Sequence, residues 1–252
     1  LAVVDVDANR AVHLECEQTP GNFPDSESRI NFYVDKVIRH ADDLKELADH
    51  FVYDGAAAKK KFADAIVEHT ELHLVSKLRR DANLRYLYTG QRRPGPGRPK
   101  QYDGKILWEN LERDRFGICH EDDEIIIYTA IVNSVSLKRD IRIAYVSRKG
   151  SDSYTILFST DVNLDGLMIY QYYKARFQIE FLFRDAKQYT GLTHCQARSE
   201  NKLHFHFNCS LTAVSVAKAD FFDKVENQGE PFSMRKVTEY YSCKLFLDRI
   251  LS

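Results

Sequence analysis

Hydrophobic and polar positions alternate with two different periods in the N-terminal part of the chain. The stretch "LAVVDVDANRAVHLEC" has two short β-prone runs around the turn signal Asp7-Ala8-Asn9, which predicts an antiparallel hairpin. Apolar residues recur at helical spacing from Glu27 to Asp49. A short strand is then predicted to end at Asp54-Gly55, before a second helix from Ala56 to about His69 and a buried, parallel-type strand, "LHLVSKL". This order predicts a strand–helix–strand unit of an α/β protein.

A loop and a group of strands follow. The stretch "YTGQRRPGPGRPKQYDGK" has four cations and three prolines between Thr89 and Lys100, which favours a linker or an exposed loop. After it, the runs "RFGIC", "EIIIYTAIV", "IRIAYVSR" and "YTILFST" predict a mainly antiparallel inserted sheet. A long helix is predicted from near Asp165, and another is predicted to be capped at Ser199.

The stretch from Tyr172 to Leu192 has no proline or glycine before its end and predicts one continuous helix. Its polar stripe, an arc of roughly 80° at helical periodicity, has the lone carboxylate Glu180 among cations. The stripe consists of Tyr173, Arg176, Glu180, Arg184 and Lys187. Spacing alone leaves two interpretations open. Glu180 either forms surface ion pairs with Arg176 and Arg184, worth a few tenths of a kcal/mol, or has a chemical role.

Charge is unevenly distributed along a chain of 252 residues whose formal net charge is −1. Residues 1–58 have 12 acidic and 5 basic side chains, whereas residues 59–105 have 12 basic and 5 acidic ones. A basic zone of this kind suits an anionic partner. No apolar run reaches the ~20 residues of a membrane span and the start has no signal-peptide pattern, so a cytoplasmic protein is expected.

Most common site motifs are absent from the sequence. The five cysteines are scattered without a Cys-x-x-Cys pair, and the cluster from His194 to Cys209 does not have the spacing of a common zinc site. The stretch "GPGRP" lacks the Gly-x-Gly-x-x-Gly and Gly-Lys-Ser/Thr patterns that bind nucleotides. This loop is therefore interpreted as either a contact with a phosphate backbone or a solvated connector.

Two carboxylates remain as candidates for chemistry. Asp54 follows a predicted central strand, and the carboxyl ends of such strands are where open α/β sheets handle ligands. The alternative is that Asp54 only caps the helix that follows it. With Glu180 and a third carboxylate, Asp54 would suit a pair of divalent ions that act on a phosphodiester.

The spacing Tyr173-x2-Arg176-x3-Glu180-x6-Lys187 resembles the Tyr-Arg-Glu-Lys signature of DDE-type bacterial insertion-sequence transposases, in which the Glu is the last catalytic carboxylate. "FVYDGAAAKKKF" is similar to the strand end that bears the second Asp of that family. The resemblance implies an α/β, ribonuclease H-like mixed sheet with helices and a β-rich insertion before the C-terminal catalytic helix. It implies core segments at 1–84 and 161–252, with a basic loop and the insertion at 85–160.

The same resemblance implies Mg²⁺-dependent cleavage at transposon ends, with Mn²⁺ as a substitute, and strand transfer to target DNA. Asp54 and Glu180 are then catalytic metal ligands, and the implied DNA contacts are Tyr173, Arg176, Arg184 and Lys187. A homodimer on paired DNA ends and a place at the bacterial nucleoid are also implied. The alternatives are a nuclease without strand transfer and an inactive DNA-binding remnant.

The first Asp of the family precedes a hairpin that "LAVVDVDANRAVHLEC" resembles. We therefore expect this Asp upstream of Leu1, with Asp5 as the nearest substitute, and we expect the chain as given to be an inactive fragment.

Overall fold

A computed structural model of the chain describes residues 1–91, 97–108, 111–224 and 230–251, without the side chains of residues 26–28. Contacts divide the chain into two compact units. The smaller unit consists of Leu1–Gly21 and Ala175–Ser252, and the larger unit is Asn22–Lys174. Within the described ranges, none of the helices combines the length and the apolar character that crossing a membrane requires.

The elements are numbered in chain order. The strands are β1 (Ala2–Asp5), β2 (Arg10–His13), β3 (His50–Val52), β4 (His73–Leu78), β5 (Leu84–Leu87), β6 (Tyr102–Lys105), β7 (Gly117–Glu121), β8 (Ile125–Ser134), β9 (Arg139–Arg148) and β10 (Tyr154–Ser159). The α-helices are α1 (Ser26–Arg39), α2 (Ala41–Leu47), α3 (Lys60–His69), α4 (Gly166–Ala175), α5 (Gln178–Tyr189), α6 (Glu200–Asp223) and α7 (Met234–Leu251).

In the smaller unit, the predicted hairpin is confirmed: β1 and β2 pair antiparallel from Ala2 opposite His13 to Asp5 opposite Arg10. The hairpin packs on α5 and α6. The His13 backbone N–H donates to Ser215 Oγ over 2.8 Å, which ties β2 to α6. The core beneath is formed by Leu182, Ala186, Leu192, Leu211, Val214 and Met234.

In the larger unit, β3 and β4 are parallel, as the sequence predicted. The strand order of the sheet is β3-β4-β10-β9-β8-β5-β6, and β7 also pairs with β8. All pairs after the first are antiparallel. The four predicted β-runs correspond to β7–β10, and β10 joins their strands directly to β4. A mixed sheet with helices confirms the fold class that the ribonuclease H-like resemblance implied.

Three local predictions were wrong. The helix predicted from Glu27 to Asp49 is two helices, α1 and α2, separated at His40. The second predicted helix begins with a short 3-10 helix at Gly55–Ala57, and α3 starts only at Lys60. The end of the predicted loop contains β6, which pairs with β5.

The continuous helix predicted from Tyr172 to Leu192 is also interrupted, because α4 ends at Ala175 and α5 begins at Gln178. At the interruption the backbone tightens: Ile179 N–H donates to Arg176 O over 3.1 Å, and Glu180 N–H donates to Phe177 O over 3.0 Å. These bonds span three residues, as in a 3-10 turn, rather than four. The polar stripe therefore does not run along a single helix.

Candidate active site

Asp54 lies immediately beyond the carboxyl end of β3, and the backbone fixes its position. Its carbonyl oxygen accepts a hydrogen bond from Ser76 Oγ of β4 over 2.7 Å. Its carboxylate Oδ1 accepts one from the Ala56 backbone N–H over 2.9 Å. Asp54 thus caps the 3-10 helix, as the alternative interpretation predicted. The residue is exposed, and Oδ2 makes no hydrogen bond within the part of the chain that the structure describes.

The neighbours of Asp54 pack tightly. A Cβ added at Gly55 would lie 3.3 Å from Lys77 O, so a glycine lets the 3-10 helix approach β4 closely. On the other side, the Tyr53 ring lies 5.4 Å from the Phe62 ring, between centroids. Burial raises the pKa of Tyr53 to about 12. The carboxylate of Asp54 therefore projects to solvent from a rigid base.

Glu180 lies in the first turn of α5, and its side chain is 59% exposed. The partial positive charge at a helix N-terminus favours a carboxylate there. Arg176 Nη1 is 3.8 Å from Glu180 Oε1, so one of the two predicted ion pairs is present in a loose form. A charge-assisted hydrogen bond would be about 2.7–2.9 Å long.

The second predicted ion pair, between Glu180 and Arg184, is replaced by another. Arg184 donates from Nε and Nη2 to Asp185 Oδ1, over 3.1 and 3.0 Å. Asp185 is buried, with 6% of its surface exposed. The sequence placed Asp185 in a second, narrower polar stripe with Lys174 and Gln178 but gave it no role.

The remaining stripe residues are distributed over both units. Lys187 is exposed on α5, seven residues after Glu180 and three after Arg184, so these three side chains share one face of that helix. Tyr173 belongs to α4, in the larger unit, and packs against the core that contains Ile169. The structure therefore groups Glu180, Arg184 and Lys187 on one helix, while Asp54 and Tyr173 belong to the other unit.

Asp5, the substitute considered for a first carboxylate, is exposed at the end of β1. Its Oδ1 accepts a hydrogen bond from the Ala8 N–H over 2.9 Å, so its carboxylate closes the hairpin turn. Asp7 is exposed within that turn.

The donor chemistry fits a hard divalent cation. Asp54 and Glu180 both present carboxylate oxygens to solvent, which are the ligands that Mg²⁺ and Mn²⁺ prefer. In the described residues, no group of three His, Cys, Asp or Glu side chains is arranged to hold a metal ion.

Comparison with known proteins identifies the family. Residues 23–215 match a family model described as "Transposase DDE domain". No curated protein matches the chain significantly. The matched range is more than half of the chain and includes Asp54 and the whole polar stripe. The chain therefore belongs to the DDE transposases, polynucleotidyl transferases that act on DNA, and it is a catalytic domain of that family.

Proposed function

We propose that this transposase belongs to the branch with the Tyr-Arg-Glu-Lys signature, and that Asp54 and Glu180 are catalytic carboxylates that hold Mg²⁺, with Mn²⁺ as a substitute. The reaction is phosphodiester cleavage at transposon ends followed by strand transfer to target DNA. We include in this proposal a homodimer on paired ends, association with the bacterial nucleoid, a core formed by residues 1–84 and 161–252, and an insertion at 85–160.

The observation that carries the proposal is that, among the residues that the structure describes, neither carboxylate forms a strong internal ion pair. At 3.8 Å, the contact of Glu180 with Arg176 is longer than a charge-assisted hydrogen bond, and the Glu180 side chain is 59% exposed. Glu180 can therefore exchange Arg176 for a metal ion at little cost. Asp54 has one oxygen bound to a backbone N–H and the other open to solvent, so it can bind a metal without losing its cap.

The metal, when bound, activates the attacking oxygen and stabilises the leaving oxygen of the phosphodiester. The chain's own residues hold the DNA strand in place. Lys187 and Arg184, on the same face of α5 as Glu180, bind backbone phosphates, and Arg176 binds another after it leaves Glu180. Tyr173 contributes a hydroxyl for one more hydrogen bond to the strand.

The test is cleavage by the full-length protein with Glu180→Gln, which keeps the shape of the side chain and removes a metal ligand. The matched control is Glu200→Gln, because Glu200 is also an exposed glutamate in the first turn of a helix. Nicking of supercoiled plasmid DNA in Mg²⁺ and Mn²⁺ is the readout. Since loss of a residue that merely orients a ligand costs about 10–100-fold, we expect Glu180→Gln to lose more than about 100-fold.

Equal nicking by the two glutamine variants would contradict the role of Glu180. A strand-transfer assay with pre-cleaved DNA ends separates the alternatives. A nuclease cleaves but does not join, and an inactive remnant binds DNA without doing either.

A further inference from the structure

The smaller unit contains a cavity of about 470 Å³ that the catalytic proposal does not use. It lies among the hairpin turn, α5, α6 and residues 230–232. We call it the hairpin pocket. Its lining includes three cations and three phenyl rings: Arg10, Arg184, Lys218, Phe181, Phe222 and Phe232.

Each of the three cations lies near one of the three rings. The Arg10 guanidinium carbon is 3.3 Å from the Phe222 centroid, and that of Arg184 is 4.9 Å from the Phe181 centroid. Lys218 Nζ is 5.5 Å from the Phe232 centroid. A ring face attracts a cation through its quadrupole and leaves the positive charge in place. The rings therefore orient these cations without neutralising them, although Arg184 is also paired with Asp185.

Lys218 is the deepest of the three, with only 7% of its surface exposed. Its ammonium donates to Ala11 O of β2 over 2.9 Å, which fixes it beside the hairpin. Burial lowers the pKa of Lys218, and the negative charge of Asp185 opposes this effect. Removing an ammonium from water costs several kcal/mol, so an anion bound in the cavity would stabilise Lys218 beyond what Ala11 O and Asp185 provide.

The carboxylates around the pocket are already occupied. Asp185 receives both donors of Arg184. Glu230, the acidic residue of the lining, pairs with Lys236 Nζ over 2.6 Å. Within the described residues, no carboxylate lies at salt-bridge distance from Arg10 or Lys218. The pocket therefore has a net positive charge and apolar walls, a combination that concentrates anions.

We propose that the hairpin pocket binds a phosphate group of a DNA strand, with the attached nucleoside against the phenyl rings. This inference rests on the proposed function. Arg184 lies one helical turn after Glu180 and also lines the pocket, so one strand can reach from the catalytic face of α5 into the cavity. Arg10 and Lys218 are then phosphate-binding residues that the transposase signature does not contain.

The test compares Arg10→Gln with Arg249→Gln, a control on the exposed face of α7. Affinity for duplex DNA is measured over a range of salt concentrations. Each phosphate that a protein neutralises contributes about 0.9 to the slope of log K against log salt, so Arg10→Gln should reduce the slope by about one. Arg249→Gln should leave it unchanged. An unchanged slope for Arg10→Gln overturns the inference.

Lys218→Met is the second variant, with its thermal unfolding measured in parallel. If Lys218 only stabilises the fold, Lys218→Met lowers the melting temperature but leaves the slope of log K against log salt at the wild-type value. This outcome counts against the proposal. A free nucleotide carries the same phosphate and nucleoside groups as a DNA strand. A calorimetric titration with dAMP therefore tests whether the pocket binds free nucleotides. Loss of dAMP binding in both variants, with an unchanged DNA slope, would assign the pocket to free nucleotides and overturn the DNA assignment.

The two proposals fail in different ways. If Glu180→Gln abolishes nicking and Arg10→Gln leaves the DNA slope unchanged, the catalytic proposal stands and the pocket proposal fails. If Arg10→Gln reduces the slope and Glu180→Gln nicks DNA like the wild type, the pocket proposal stands and the catalytic assignment of Glu180 fails.

Discussion

Asp54 and Glu180, the two carboxylates assigned to catalysis, are held in opposite ways. Asp54 is fixed by the backbone: Ser76 binds its carbonyl and Ala56 binds its carboxylate. Glu180 depends on its position in the first turn of α5 and on a loose contact with Arg176. Asp54 is therefore held in place before any ligand binds, whereas under our proposal Glu180 would exchange Arg176 for a metal ion.

Asp54→Asn and Asp54→Ala together separate the two roles of this residue, and they have the largest expected effect. Asn keeps the Oδ1 acceptor for Ala56 N–H, so its stability should equal that of the wild type, yet plasmid nicking should fall by more than about 100-fold. Ala should lose the same activity and also about 1 kcal/mol of unfolding free energy, because the cap is gone. Chemical denaturation and a nicking assay measure both quantities.

If Asp54→Asn nicks DNA normally while Asp54→Ala is destabilised, Asp54 is a helix cap alone and the comparison with Glu180 fails.

Arg176→Ala and Lys187→Ala test the cations that lie near Glu180. Each should reduce the slope of log K against log salt for DNA by about one, because each is assigned one phosphate. In Lys187→Ala the unfolding free energy should change by less than about 1 kcal/mol, since Lys187 is exposed on α5. A shift in melting temperature with an unchanged salt slope would favour the purely structural ion pair.

Ser76→Ala tests how Asp54 is held and has the smallest expected effect on activity. Ser76 is fully buried, and its hydroxyl holds the Asp54 carbonyl. Loss of this bond should cost about 0.5–1.5 kcal/mol of unfolding free energy, the net contribution of a typical hydrogen bond, because the exposed residue Asp54 can bind water instead. Nicking should fall far less than in Asp54→Asn. Wild-type stability in this variant would show that β4 does not anchor Asp54.

The sequence predicted those parts of the fold that depend on local pattern. The turn at Asp7-Ala8-Asn9 and the start of α6 after Ser199 lie where they were predicted, although the Ser199 side chain makes no capping hydrogen bond, and β3 ends two residues before Asp54. Their signals are contained within a few residues, so distant packing was not needed to find them.

The interruption between α4 and α5 was not predictable in this way, because the residues there are good helix formers without glycine or proline. The two halves of the segment pack into two different hydrophobic cores. Ile169 of α4 packs with Val75 and Leu157, whereas Leu182 and Ala186 of α5 pack with Leu211. Tertiary packing thus overrides local propensity at Arg176 and Phe177. Strand β6 was missed for a similar reason: Tyr102–Lys105 includes a polar Asp and a glycine with φ of 108°, and among the described strands its partner is β5 alone.

The candidate site shows the same limit. Motif spacing selected Glu180, Arg184 and Lys187, and these do share one face of α5. The partner of Arg184 was not predicted, because side chains at adjacent positions of a helix do not normally face each other.

The most direct test of the catalytic assignment is binding of Mn²⁺ by the purified full-length protein, measured by electron paramagnetic resonance. Wild type, Asp54→Asn, Glu180→Gln and the control Glu200→Gln are compared. The account predicts that Asp54→Asn and Glu180→Gln each weaken Mn²⁺ binding by at least about tenfold, while Glu200→Gln binds like the wild type. Wild-type Mn²⁺ affinity in both Asp54→Asn and Glu180→Gln would contradict the claim that these carboxylates hold the metal.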